Sequence, residues 1–166
     1  DKAMEWITKA SEAGSAAAQY FLAVRHDEGN DLSRDDKTAV ALYRKAAVQN
    51  HAASANNLAV KLDAGDGVPA AAAAAMALYR QAANLGYASA QYNLAIKLET
   101  KDAAKALEWY RKAAEQGHAD AQNNLGIRHA KGLGVPADPA KAAEWYRRAA
   151  EQGHSAAQAN LAGLYH

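Results

Sequence analysis

The chain of 166 residues has no cysteine, only three prolines, two methionines and a single phenylalanine. Without cysteine there are no disulfides and no thiolate metal sites, although this does not fix the compartment. Scarce proline beside abundant alanine suits helices packed closely through small residues. Neither sign of charge dominates: 19 Lys and Arg against 18 Asp and Glu leave +1. The basic excess or stripe that marks a nucleic-acid binder is therefore missing. No apolar run reaches the roughly 18 residues a membrane span needs, and nothing at the start reads as a signal peptide. The first residue is Asp, so we expect a processed or trimmed N-terminus, and a lost targeting segment stays open.

What the chain does have is a repeat. The stretch from Lys105 to Leu125 returns almost intact from Lys141 to Leu161, with fainter copies upstream. Trp6, Leu42, Leu78, Trp109 and Trp145 mark one slot, at intervals of 36, 36, 31 and 36 residues. A period of this size is the signature of a solenoid. In each copy, apolar or small residues at i, i+3, i+4 and i+7 (Ala106, Trp109, Tyr110 and Ala113, for example) predict a helix, here called B. A stop slot follows, holding Gly14, Asn50, Gly86, Gly117 and Gly153, residue types that tolerate the left-handed turn ending a helix. Next comes an A helix with a small residue and, four positions on, Leu22, Leu58, Leu94, Leu125 or Leu161. The loop from A to B is clearest as Gly65-Asp-Gly-Val-Pro69 and Gly132-Leu-Gly-Val-Pro136, and worn as Gly29-Asn-Asp-Leu-Ser33. In the third copy Leu98-Glu-Thr-Lys-Asp102 replaces it, which accounts for the 31-residue interval and predicts a local change of pitch. The expected units are residues 1–14 (partial), 15–50, 51–86, 87–117, 118–153 and 154–166 (partial) of one array. Leu161, Leu164 and Tyr165 leave an apolar C-terminal end, so end-to-end self-association is a further expectation.

The succession Ala-Gln-x-Asn-Leu-[Gly/Ala], Gly-x-Gly-Val-Pro and Ala-x-x-Trp-Tyr-x-x-Ala-Ala-x-x-Gly resembles the Sel1-like repeat family, relatives of tetratricopeptide repeats, over nearly the whole chain. The resemblance implies an all-α, right-handed α/α superhelical solenoid of about ten helices. It also implies a protein-interaction scaffold, often bacterial, whose A helices line the concave surface. Two departures stand out. The slot where the family usually carries Tyr holds His26, Leu62, Leu98, His129 and Tyr165. The disulfide of the cysteine-rich members is impossible here.

Candidate chemistry is thin. The Gly-x-Gly-Val-Pro loops lack the Gly-Lys-[Ser/Thr] and preceding strand of a phosphate cradle and read as turns. His51, His118 and His154 share a slot at the start of an A helix, and successive slots lie one repeat or about 10 Å apart, too far to share an ion bound at about 2 Å. No metal or other cofactor is expected. His26 and His129 are expected to sit half-buried with a hydrogen-bond partner. No nucleophile–base–acid set is visible, so we expect no enzyme. Trp109 and Trp145 read as core, with a truncation cost of about 3–5 kcal/mol.

Counting from each A-helix Leu, positions −2, +2 and +5 fall on one stripe. They hold Tyr20, Val24 and Asp27; Asn56, Val60 and Asp63; Tyr92, Ile96 and Glu99; and Asn123 and Ile127 in the fourth copy. This aromatic-or-amide, β-branched and acidic surface could accept a peptide, the acids selecting positive charge. Otherwise its β-branched tier packs against adjacent A helices and its acids are solvated. Position +3 is basic in Arg25, Lys61, Lys97 and Arg128. Either these stems lie on apolar surface with the head in water, or they form a ladder that pairs with acids next door or with an acidic partner. Asn57, Asn93, Asn124 and Asn160 precede the Leu and read as a ladder between helices, or as a clamp on a ligand backbone. The leading function is a non-catalytic scaffold or adaptor that binds a peptide or partner protein. An inhibitor or immunity-type protein that blocks a partner is the alternative. A structural spacer, or a secreted hydrolase or cell-wall-binding protein of the kind the cysteine-rich relatives suggest, comes after these. Bacterial cytoplasm or periplasm is the expected location.

Overall fold

The computed structural model describes residues 2–29 and 32–164. Tyr165, in the tyrosine slot and the apolar end, and Asn30 and Asp31, in the worn loop, lie outside the described residues. Among the described residues the protein is all-α, with ten helices. They are α1 (Lys2–Glu12), α2 (Ala16–Glu28), α3 (Asp36–Ala47), α4 (Ala52–Ala64), α5 (Ala72–Asn84), α6 (Ala88–Leu98), α7 (Ala103–Glu115), α8 (Ala119–Lys131), α9 (Pro139–Glu151) and α10 (Ser155–Gly163). Even-numbered helices are the A helices and odd-numbered ones the B helices. Each A helix packs on the B helix that follows it: α2 on α3, α4 on α5, α6 on α7 and α8 on α9. The chain divides into two compact units, Asp1–Tyr87 and Ala88–His166. In the first, α1 also packs on α2 and α3 on α4; in the second, α7 packs on α8 and α9 on α10.

Helix ends follow the sequence signals. The stop slot is left-handed in every copy, and Asn50, at φ 62°, is the one non-glycine with positive φ among the described residues. Asp35, Asp102 and Asp138 cap α3, α7 and α9 by accepting backbone N–H groups of the first turn. The loop deletion spares one hydrogen bond. The residue ahead of each B helix donates its backbone N–H to the carbonyl in the family's tyrosine slot: Asp35 to His26, Ala71 to Leu62, Asp102 to Leu98 and Asp138 to His129. The gap is nine residues for Asp138 and four for Asp102, yet the bond is kept at 2.8 and 2.7 Å.

Alanine makes the close packing. Ala39, Ala46, Ala75, Ala82, Ala106, Ala113, Ala142 and Ala149 are fully buried on the B helices, with Tyr43, Tyr79, Tyr110 and Tyr146 between them at 4% exposure or less. A buried side chain of such size contributes on the order of 1.5–3 kcal/mol. The neighbouring tryptophans are not core. Trp6 is 67% exposed, and Trp109 and Trp145 are only half-buried. The buried stripe runs through Ala106, Leu107, Tyr110, Ala113 and Ala114. One position before the tyrosine, a residue is turned about 100° away and reaches only the border of that stripe. There the indoles are roofed by cations: Lys112 over Trp109 at 4.1 Å and Arg148 over Trp145 at 4.6 Å. Leu161 and Leu164 are half-buried against the cluster of Ala142, Tyr146, Ala149 and Ala157.

Candidate functional site

The stripe on the A helices separates by tier. Val60 and Ile96 are 43% and 42% exposed, one in each unit. Val24 is half-buried, and Ile127 packs against the Tyr146 cluster. Tyr20 and Tyr92 are half-buried and lie against histidines, Tyr20 on His51 at 4.8 Å and Tyr92 on His118 at 4.7 Å between ring centres. Asn56 and Asn123 are buried, at 6% and 8% exposure. Asn56 donates to Asn57, and Asn123 accepts from Asn160 across α8 and α10 at 3.0 Å. These two amides are therefore committed to neighbours.

The acidic tier is largely committed as well. Tyr43 Oη donates to Asp27 Oδ2 at 3.1 Å and accepts from Asn57 Nδ2 at 3.1 Å, joining α2, α3 and α4. Lys61, 5% exposed, reaches Asp27 and lies 2.7 Å from Asp36. The second unit repeats the arrangement. Tyr110 Oη donates to Glu99 Oε1 at 3.0 Å, Arg128 pairs with the same carboxylate, and the guanidinium lies 5.0 Å from the Tyr110 ring centre. Burial holds both phenols far above the ordinary tyrosine value. Burial likewise pushes Tyr79 up to about 12, with the Asp63 carboxylate adding to it. The basic slot thus follows the pairing alternative at Lys61 and Arg128, whose heads lie on carboxylates of preceding elements, Asp27 of α2 and Asp36 of α3 for Lys61 and Glu99 just past α6 for Arg128, rather than in water. Arg25 lies over the Phe21 ring at 4.8 Å. A charge reversal at Glu99 would break a structural node, so it cannot report on ligand binding alone.

Three further devices support the A helices. His51, His118 and His154 are N-caps, each accepting through Nδ1 the backbone N–H three residues on. An accepting Nδ1 requires the neutral ring with its proton on Nε2. Burial lowers the pKa of His51 and His118, and nearby Asp120 opposes that shift at His118. His129, expected half-buried, is 8% exposed; its ring hydrogen-bonds the Pro136 backbone, while its Nδ1, like that of His26, is buried without a partner. The sequence reading missed a glutamine relay. Gln122, buried on α8, donates to the Ala114 carbonyl of α7 at 3.0 Å and accepts from Gln152, just past α9, at 2.8 Å. Gln19 does the same between the Ser11 carbonyl and Gln49. In the second copy Ala55 stands in the glutamine slot, and Gln81 of α5 donates instead to the Ala47 carbonyl at 2.9 Å. The recurrence of Gln three residues before the A-helix Leu, at Gln19, Gln91, Gln122 and Gln158, was the available signal.

Among the described residues no cluster of His, Asp and Glu could hold a metal ion, and no helix is long and apolar enough to cross a membrane. A comparison with curated protein sequences gave no match. Solved structures gave several. The protective antigen c5321 of uropathogenic Escherichia coli, described as having an SLR fold, is 37% identical over 98% of this chain and 36% of its own, with a TM-score of 0.87. A Sel1 repeat protein from Oxalobacter formigenes is 33% identical over 99% of this chain and 67% of its own, at 0.89. The immunity protein Pa5087 of Pseudomonas aeruginosa is 26% identical over 93% of this chain and 59% of its own, at 0.64. The chain thus spans about a third of the length of the antigen it resembles. The Sel1 repeat matches residues 1–15, 16–51, 52–87, 88–118 and 119–154, so the chain belongs to the Sel1 repeat family.

Proposed function

We propose that the protein is a non-catalytic adaptor that binds a peptide or partner protein on the stripe presented by its A helices. The observation that carries this reading is the exposure of Val60 and Ile96, at 43% and 42%. In an array whose other A-helix aliphatics are drawn inward, branched apolar side chains left this open at one repeated slot supply contact area that folding does not use. Tyr20 and Tyr92, each held by a histidine ring, add fixed aromatic edges beside them. With Asp27 and Glu99 committed to internal pairs, contact there is apolar and aromatic first, and selection for positive charge is secondary. Val60→Glu and Ile96→Glu test the reading. Each should abolish capture of a stoichiometric partner while leaving the melting temperature within about 2 °C, because surface changes cost little. Capture that survives both variants would refute it.

A second reading is favoured by the likeness to the Pseudomonas aeruginosa immunity proteins, two of which match at TM-scores of 0.64 and 0.65. There the same face would block a partner rather than tether it. Recovered partner that loses its own catalytic activity on titration with this chain supports blocking, and a partner that keeps its activity supports tethering.

A further inference from the structure

In the second unit, α7, α8 and α9 enclose an open depression of about 380 Å³ that the stripe does not use. It is lined by Arg111 and Glu115 of α7, His129 of α8, and Lys141, Glu144 and Trp145 of α9. Its volume falls at the lower end of the range for small-molecule sites. Each wall carries one cation and one carboxylate, set a helical turn apart, so their charges can act together on one guest. Among the described residues Arg111, Glu115 and Glu144 enter no ion pair, and Lys141 lies 3.4 Å from the capping carboxylate Asp138. Internal pairing leaves Arg111, Glu115 and Glu144 available, and Lys141, 61% exposed in its pair with Asp138, stays open to a guest, in contrast to Lys61 and Arg128.

The base of the depression is asymmetric. His129 is 8% exposed, and its Nδ1 is buried without a partner. A buried polar atom left without a partner is destabilising, and it contrasts with the paired Gln122, Asn123 and Tyr110 of the same unit. Burial first, and then the positive charge of Lys141, lower the pKa of this ring, Arg111 adding to the shift and Asp138 and the Pro136 backbone opposing it. Arg111 on α7 and Lys141 on α9 bring one cation to the depression from each of its two charged walls. The Trp145 indole, roofed by Arg148 on one side, supplies an apolar surface between them. The combination does not recur in the other copies. One repeat back, Leu98 takes the histidine slot and Asn84 the slot of Glu115.

We propose that this depression binds a small zwitterion of the free amino-acid class, with its carboxylate between Arg111 and Lys141, its ammonium toward Glu115 and Glu144, and its apolar part on the Trp145 indole. The site is separate from the A-helix stripe, and its failure would leave the adaptor reading untouched. The test is a titration of the ¹⁵N-labelled chain with free L-amino acids spanning aliphatic, aromatic and polar side chains. The indole N–H signals of Trp6, Trp109 and Trp145 are followed and assigned by Trp→Phe substitution at each position. The amino acid that binds tightest is then compared with its N-acetyl and its amide derivatives. A saturable shift of the Trp145 signal is expected, with an affinity of about 1 mM or better and weakened at least about tenfold by either derivative. Arg111→Gln should abolish it without moving the melting temperature. The proposal is overturned by a shift shared equally with Trp6, by equal affinity for a capped derivative, by undiminished binding in Arg111→Gln, or by no saturable shift with any amino acid.

Discussion

Lys61 carries its charge to a place where water barely reaches, and two carboxylates meet it there. Its replacement by Met keeps the stem and deletes the ammonium, leaving Asp27 and Asp36 facing each other and the Tyr43 hydroxyl. Removing one partner from a buried pair is costly, so Lys61→Met should lower the unfolding free energy by about 3 kcal/mol, read from urea denaturation. The exposed pair Lys9–Glu5 on α1, with both side chains more than half exposed, should yield under about 0.5 kcal/mol in the same assay. The aromatic pair on each B helix gives a second contrast. Tyr110→Ala empties a fully buried volume and should cost about 3–5 kcal/mol, whereas Trp109→Ala removes a half-buried indole and should cost about 1–2 kcal/mol. Sequence alone could not order that pair. Trp and Tyr are adjacent, both large, and both compatible with the i, i+3, i+4 pattern. Which one faces the neighbouring helices depends on a rotation that only packing sets. The partners of Lys61 were hidden for a related reason: a long side chain spans two helices, and periodicity records only where its stem begins.

At the scale of the helix, the caps tie stability to pH. His51 and His118 accept a backbone N–H through an unprotonated Nδ1, and burial keeps their folded pKa below the usual histidine value of 6.5. A depressed folded pKa means that the unfolded chain binds protons first as pH falls. The caps' contribution is thus present above about pH 6.5 and is lost as pH drops below it toward the folded values. The melting temperature should fall between pH 7 and pH 5, and a His51→Asn/His118→Asn variant, whose caps do not titrate, should show a flatter profile. An unchanged slope in that variant would remove the caps as the cause. Element boundaries were largely legible beforehand, because the glycine stop slot and the Gly-x-Gly-Val-Pro loops act through local backbone geometry. The glutamine relay was not. A glutamine inside a helix reads as exposed, and its amide becomes structural only when a carbonyl from the previous helix end comes within 3 Å or so. Ala55 occupies the slot that is glutamine in the other copies, and Gln81 supplies the missing donor from α5, so the carbonyl is satisfied by one route or another.

For the molecule as a whole, membership in the Sel1 repeat family and the sequential pairing of ten helices follow from a period visible in the sequence. Sel1 repeats generally mediate protein interactions, and the same period placed Val60 and Ile96 in the same slot of their A helices. What the period could not foresee was that the flanking acids and amides are internal ties, because such bonds join different slots, Asp27 to Tyr43 and Asn123 to Asn160 among them. The central claim, that this stripe meets the partner, is tested most directly by photo-crosslinking in the native host from a benzophenone side chain placed in turn at Val60, Ile96, Val48 and Leu85. The last two are controls of equal or greater exposure, at 76% and 47%, just past the ends of B helices α3 and α5. A single discrete adduct from Val60 and Ile96, absent from Val48 and Leu85, is the predicted result. Adducts from Val48 and Leu85 with none from Val60 and Ile96 would contradict the account.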